Sequence, residues 1–177
     1  MHRSSASGFS LIETIIASGV LAVGMLGAAA VFSHGMQKVT SAPGDLIATQ
    51  KASEAIESVF SARDSHSLTW AQLRNVNGAS GSDGGVFLDG PKSLTTTGPD
   101  GLVNTADDGP IETITSPGPD QIYGTADDIV IPLTQYNREI KIRDVETDLR
   151  SITVTIMYLV GAESRKYTLT TYISNYS

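Results

Sequence analysis

The chain has no cysteine among its 177 residues, so neither a disulfide framework nor a thiolate site is open to it. Aromatic residues make up 6% of it, with a single tryptophan, and no stretch gathers them into an aromatic-lined pocket. Cations are scarce too: 12 Lys and Arg stand against 19 Asp and Glu, for a net charge of −7. The imbalance is local, because from Asp83 to Asp128 the only base is Lys92. A surface of that sign repels phosphates, which excludes generic nucleic-acid binding by this region and suits a cation better. Histidine is limited to His2, His34 and His66, and no His-x-x-x-His, Gly-x-Ser-x-Gly or P-loop pattern occurs. The adjacent pairs Asp107-Asp108 and Asp127-Asp128 lie in polar turns, without the burial that splits carboxylate pKa values for glycoside hydrolysis. Nothing here points to an enzyme.

A different absence marks the start of the chain. From Thr14 to Gln37 there is no Asp, Glu, Lys or Arg. A helix of that length spans about 36 Å, enough to cross a hydrocarbon core of about 30 Å. Gly19, Gly24, Gly27 and Gly35, with Ser18, Ala22 and Ala28 to Ala30, give it small-residue surfaces for close helix contact. Glu13 is the one charged side chain between Phe9 and the end of this run. An acid at the mouth of an apolar helix is costly in lipid and calls for a cationic partner. The eight residues before Phe9 are polar, weakly basic and end in Gly8. A secretory signal peptide places its small-residue cleavage site after the apolar stretch; here the small residue precedes it.

The run Gly8-Phe9-Ser10-Leu11-Ile12-Glu13 resembles, at all six positions, the processing motif of the type IV pilin and pseudopilin family. That resemblance implies a leader at residues 1–8, cleaved after Gly8 by a prepilin peptidase, and N-methylation of the new N-terminus, Phe9. It implies that Glu13 pairs with the Phe9 amine of a neighbouring subunit and so sets the assembly register; a staggered neighbour supplies the cation a buried carboxylate needs. The implied partners are other pilin or pseudopilin subunits and an inner-membrane assembly platform. The implied location is a single-pass inner-membrane state with the head outside the cytoplasm, then a periplasmic or extracellular filament. Val20 to Gly27 is similar to the minor pilins and minor pseudopilins. The chain departs from many members in lacking a C-terminal disulfide and a proline near Ala30. The rival reading is a membrane-anchored or filament-tip adhesin that uses its acidic loops.

Beyond the apolar run, residues 9–37, Pro43 predicts a kink or short break, because proline removes a donor and disfavours helix before it. Across residues 38–63, Leu46, Ile47, Ala52, Ala55, Ile56, Val59 and Phe60 recur at helical spacing, with Lys51, Glu54, Glu57 and Arg63 on the other, solvated face. Residues 64–131 are rich in Gly, Ser, Thr, Asp and Pro and read as a long loop region, with a turn around Leu68, Trp70 and Leu73 and a short strand at Val86-Phe87-Leu88. Within it, residues 98–108 return as residues 118–128, with seven of eleven positions identical. Each copy sets three carboxylates and a threonine on a Gly-Pro-Asp turn: Asp100, Thr105, Asp107 and Asp108, then Asp120, Thr125, Asp127 and Asp128. Hard oxygen donors of this kind suit Ca²⁺. The copies resemble Gly-Pro-Asp-Gly-x-x-Gly-Thr-x-Asp-Asp segments of bacterial surface proteins that look calcium-binding, and they are not EF-hands. The alternative is a pair of turns in which aspartates cap backbone amides. Gly81-Ser82-Asp83-Gly84-Gly85 is a fainter relative.

Residues 132–177 recover regular alternation. A strand starts at Ile129-Val130-Ile131, and further strands run over Asn137–Arg143, Ser151–Val160 and Lys166–Ser174. They are joined by loops at Asp144–Asp148 and Gly161–Ser164. The expected fold is α+β: a long N-terminal helix, half membrane-spanning and half amphipathic, laid on a C-terminal antiparallel meander, with a long acidic loop region between.

Overall fold

The computed structural model describes residues 10–77 and 84–176, leaving out the side chains of residues 37–41. The expected fold class is the one observed. Helix α1 (Leu11–Asp64) is followed by six strands: β1 (Lys92–Ser93), β2 (Thr113–Ser116), β3 (Ile129–Pro132), β4 (Tyr136–Glu146), β5 (Leu149–Val160) and β6 (Glu163–Ser174). The chain divides into two compact units between Ala42 and Pro43.

In the first unit, every described side chain from Ser10 to Met36 is exposed within the single chain. Leu11–Met36 is long and apolar enough to cross a membrane. Two hydroxyls inside this stretch donate back into the helix: Thr14 Oγ1 to the Ser10 carbonyl at 3.3 Å, and Ser18 Oγ to the Thr14 carbonyl at 2.6 Å. These polar groups are therefore satisfied without water, as an apolar surrounding demands.

In the second unit, the helix reaches the sheet through a stripe of small residues. Ala48, Ala52, Ala55, Val59 and Ala62 are buried at spacings of three and four, while Ile47, Ile56 and Phe60 flank the core. Sequence periodicity placed Ala52, Ala55 and Val59 on this face correctly and omitted Ala48 and Ala62, while Leu46, which it included, proves 68% exposed. The reason is steric: alanine lets the helix backbone approach strands whose inward residues are Ile140, Ile142, Ile152, Val154 and Ile156. Pro43 does not break α1, which runs through it. An interior proline costs about 3 kcal/mol, a local penalty that helical turns on both sides absorb here.

The main sheet has the order β1-β4-β5-β6 and is antiparallel throughout. Its hairpins are tighter than expected. Val160 pairs with Glu163, leaving only Gly161 and Ala162 in the loop, with Gly161 at φ 62° where a two-residue turn needs a residue of that conformation. Glu146 pairs with Leu149, and a register shift between Asp144 and Glu146 takes up the residues assigned to a longer loop. Val86-Phe87-Leu88 forms no strand; Phe87 makes a single bridge to Asn75 and is fully buried. The strand at Ile129 exists, but it pairs with β2 in a separate two-stranded ribbon rather than entering the meander. Replacing Ala52 by Leu should overpack the helix–sheet seam and cost about 1–3 kcal/mol. Leu46→Ala should stay within about 0.5 kcal/mol, as exposed positions do. Denaturant unfolding of the detergent-solubilised chain, with the two variants compared directly, tests this.

Candidate functional site

Gly8 and Phe9 lie outside the described residues, as does Asp83. Glu13 is in the first turn of α1, exposed, at the N-terminal end of the apolar stretch. A carboxylate there complements the partial positive charge of the helix N-terminus. It has no hydrogen bond or ion pair with any other described residue.

The two acidic repeats fold as the same turn. In each, a glycine carbonyl accepts from the amide three residues on: Gly98 from Gly101 at 3.0 Å, and Gly118 from Gln121 at 2.9 Å. Pro99 and Pro119 take the second turn position, where their fixed φ fits. The aspartate that follows caps the amide two residues ahead, Asp100 Oδ1 accepting from Leu102 N–H at 2.8 Å and Asp120 Oδ1 from Ile122 N–H at 2.9 Å. The second acid folds back over the turn. Asp107 Oδ2 and Asp127 Oδ2 accept from the Asp100 and Asp120 amides at 3.4 Å, and their Oδ1 atoms from Thr105 and Thr125 hydroxyls at 2.8 and 2.7 Å. The third acid closes the loop, Asp108 Oδ2 accepting from Asn104 N–H at 2.9 Å and Asp128 Oδ2 from Gly124 N–H at 2.7 Å. Glycine is required at the head of each turn, since a Cβ on Gly98 or Gly118 would sit 2.6 or 2.3 Å from the Asp107 or Asp127 carboxylate.

All eight residues expected to bind calcium are thus brought together in two sets of four, but their oxygens face backbone amides and threonine hydroxyls. Among the described residues, no group of three or more His, Cys, Asp or Glu is placed to hold one metal ion. The arrangement is that of capped turns, and it does not form a ready cation cage.

The first turn is anchored by a residue that sequence reading overlooked. Arg138, on β4 and 1% exposed, donates from Nε to Asn104 Oδ1 at 2.8 Å and from Nη2 to the Thr95 carbonyl at 3.0 Å. Its Nη1 lies 3.5 Å from Glu112, which also binds Lys51 on α1 at 2.6 Å. Lys51 was assigned to a solvated face; it instead ties the helix to this network. Arg150, 2% exposed on β5, plays the same part for the 68–74 turn, donating to the Trp70 and Leu73 carbonyls and to Asp144 while its guanidinium stacks 4.0 Å from the Trp70 ring. Alternation placed both arginines on the inward face of their strands, beside Ile140 and Ile152, which is the signal that they are buried.

The Thr105 hydroxyl holds the Asp107 carboxyl below its ordinary pKa of 3.8, outweighing desolvation, with amide N–H donors adding to the effect. Thr125 does the same for Asp127. The unfolded chain therefore binds protons more readily than the folded one at these positions. Their contribution to stability is fully present above about pH 4 and is lost as pH falls through the depressed folded-state values. Unfolding followed by the fluorescence of the single Trp70 should show this loss below pH 4. The Asp107→Asn, Asp127→Asn variant should be less stable at pH 7 and show a shallower acid dependence.

A family model described as the prokaryotic N-terminal methylation motif matches residues 3–29. No curated protein and no solved structure matches the chain significantly. The match covers the Gly8-to-Glu13 run and most of the apolar stretch of α1, the part whose exposed surface asks for neighbours. The chain thus carries the prokaryotic N-terminal methylation motif at the start of a long helix that is followed by an antiparallel sheet, the arrangement expected of a pilin-like protein.

Proposed function

We propose that the protein is a minor pilin or minor pseudopilin, a structural subunit of a type IV pilus or a type II secretion filament. It is cleaved after Gly8 by prepilin peptidase, methylated on Phe9, held as a single-pass inner-membrane protein with its head outside the cytoplasm, and drawn into a filament by the assembly platform. The observation that carries this reading is an apolar helix, Leu11–Met36, exposed along its whole length and headed by Glu13 inside a methylation motif. Such a helix gains by burial first in lipid and then among its copies, where small residues permit close contact. Glu13 sets the axial register by pairing with the Phe9 amine of the next subunit. A filament subunit needs no catalytic site, and the reading includes none.

The register role predicts a split phenotype. Glu13→Gln should insert into the membrane and be processed as usual, while its recovery in sheared or purified filaments falls at least tenfold. Filament recovery equal to wild type would sink the register assignment.

Calcium binding by the acidic turns is a second reading, favoured by one observation: Asp107 and Asp127 are held ionised at matching places in both copies. The capped arrangement means that a cation would have to displace donors already in place, so the reading needs its own experiment. Titration calorimetry of the solubilised full chain should show micromolar or tighter Ca²⁺ binding, and chelator should lower the melting temperature. No heat, and a melt indifferent to chelator, would leave the carboxylates as turn caps alone.

A further inference from the structure

The two copies of the acidic turn present the same two apolar positions to opposite fates. In the first copy these are Leu102 and Val103, 3% and 4% exposed, seated in the head's own core. In the second they are Ile122 and Tyr123, 59% and 67% exposed. The backbones correspond closely: Gly101 and Gln121 have φ of 75° and 57°, and Asn104 and Gly124 have φ of 63° and 86°. What differs is the anchor. Asn104 Nδ2 donates to the Arg138 carbonyl at 3.0 Å and its Oδ1 accepts from the Arg138 side chain, whereas Gly124 has no side chain to make either bond. The second copy is thus a turn shaped to seat an apolar pair, freed from the strand that seats its twin. It forms the tip of the β2–β3 hairpin, whose Ile129, Val130 and Ile131 are also about half exposed. Exposed apolar side chains gathered on one hairpin point to an interaction surface.

Charge says what covers it. The tip carries Asp120, Asp127 and Asp128 and no base. On the face of the main sheet turned away from the core, Lys141 is held by Glu139 at 3.0 Å and Arg143 turns in to Asn75, which leaves Lys166, beside Met157 and Thr168, as the open cation. We propose that the β2–β3 hairpin is an assembly arm, which lays Ile122 and Tyr123 on the outer sheet face of a second copy of this chain. The acidic rim of the tip meets Lys166 on that face, and such complementarity fixes orientation more than affinity. This inference rests on the filament reading, since it needs copies held side by side.

The absence of cysteine makes the test direct. Two differently tagged full-length copies are co-expressed, one with Tyr123→Cys and the other with Thr168→Cys, and treated with a short bismaleimide in intact cells. A helix pair, Ile16→Cys on both copies, reports whether subunits are neighbours at all, and Gln50→Cys paired with Tyr123→Cys reports random collision. The arm predicts a Tyr123–Thr168 product at least tenfold above the Gln50 control, falling to that control when Ile122→Ser is added. Cross-linking of Ile16 with none above control at the arm overturns the arm and leaves the filament reading standing. No cross-linking at either place overturns the arm, because copies of this chain are then not neighbours, while the filament reading keeps its own test in the recovery of Glu13→Gln. Capture of the tip cysteine by a different protein overturns the second copy as occupant.

Discussion

Arg138 makes the head possible without a disulfide. It is a charge with 1% exposure, a state that costs several kcal/mol unless every donor finds an acceptor. Burial pushes its pKa down, and the carboxylates of Glu112 and Asp108 push back. Its partners come from three places: Thr95 beyond β1, Asn104 in the first acidic turn and Glu112 before β2. Through Glu112 the network reaches Lys51, whose own pKa is lowered by burial and raised further by Glu112 and Glu54, for a net rise. A single strand residue thus gathers a long, glycine-rich segment that has little apolar content of its own and fixes it against helix and sheet. Arg150 repeats the device for the turn at Trp70. The planar guanidinium, with five donors in fixed directions, can clamp several carbonyls at once; lysine could not.

The helix meets two kinds of surroundings along its sequence. From Thr14 to Met36 its surface is uncharged and largely apolar, and the Thr14 and Ser18 hydroxyls are satisfied within the helix, which suits a medium with no water. After Pro43 only a narrow stripe is apolar, and that stripe is mostly alanine. Beyond the stripe, Asp45 accepts from the Tyr158 hydroxyl at 2.6 Å, and the Tyr158 ring stacks on Tyr136 with centroids 5.5 Å apart. Burial, then the Asp45 carboxylate, drives the Tyr158 pKa up to about 12, so the phenol stays a donor at any physiological pH. The position at which the helix joins the sheet is therefore set in part by a hydrogen bond whose donor keeps its proton throughout the physiological range.

Much of this was readable in the chain. The motif at Gly8 to Glu13 and the uncharged run behind it are local signals, and period-two alternation over β4 to β6 survives because one face is buried and the other is not. What escaped was non-local. Lys92 and Ser93 form a strand only because β4 offers them an edge, and two residues carry no pattern. Ala52 and Ala55 were legible on the core face, but Ala48 and Ala62 were passed over because hydrophobicity ranks Leu46 above Ala48, whereas close approach to a sheet rewards the smaller residue. The burial of Lys51 and Arg138 depends on Glu112, distant from both in sequence. The hairpin loops came out too long because alternation fades at strand ends, where the turn rather than a core sets the geometry.

The repeat shows how sequence identity and structural role come apart. Seven identities preserve the turn itself: glycine where a carboxylate must pass, proline at the second position, and aspartates on the amides. The four differing positions decide what the turn is attached to. With Asn104 the first copy holds the Arg138 backbone and buries its apolar pair; with Gly124 the second has nothing to hold. Yet Ile122 and Tyr123 are as bulky as Leu102 and Val103 or bulkier, although exposure alone would favour small polar residues there. A duplicated turn with no further purpose has no physical reason to keep an apolar pair in water, so that pair is the strongest sign that the head completes its surface on a neighbour.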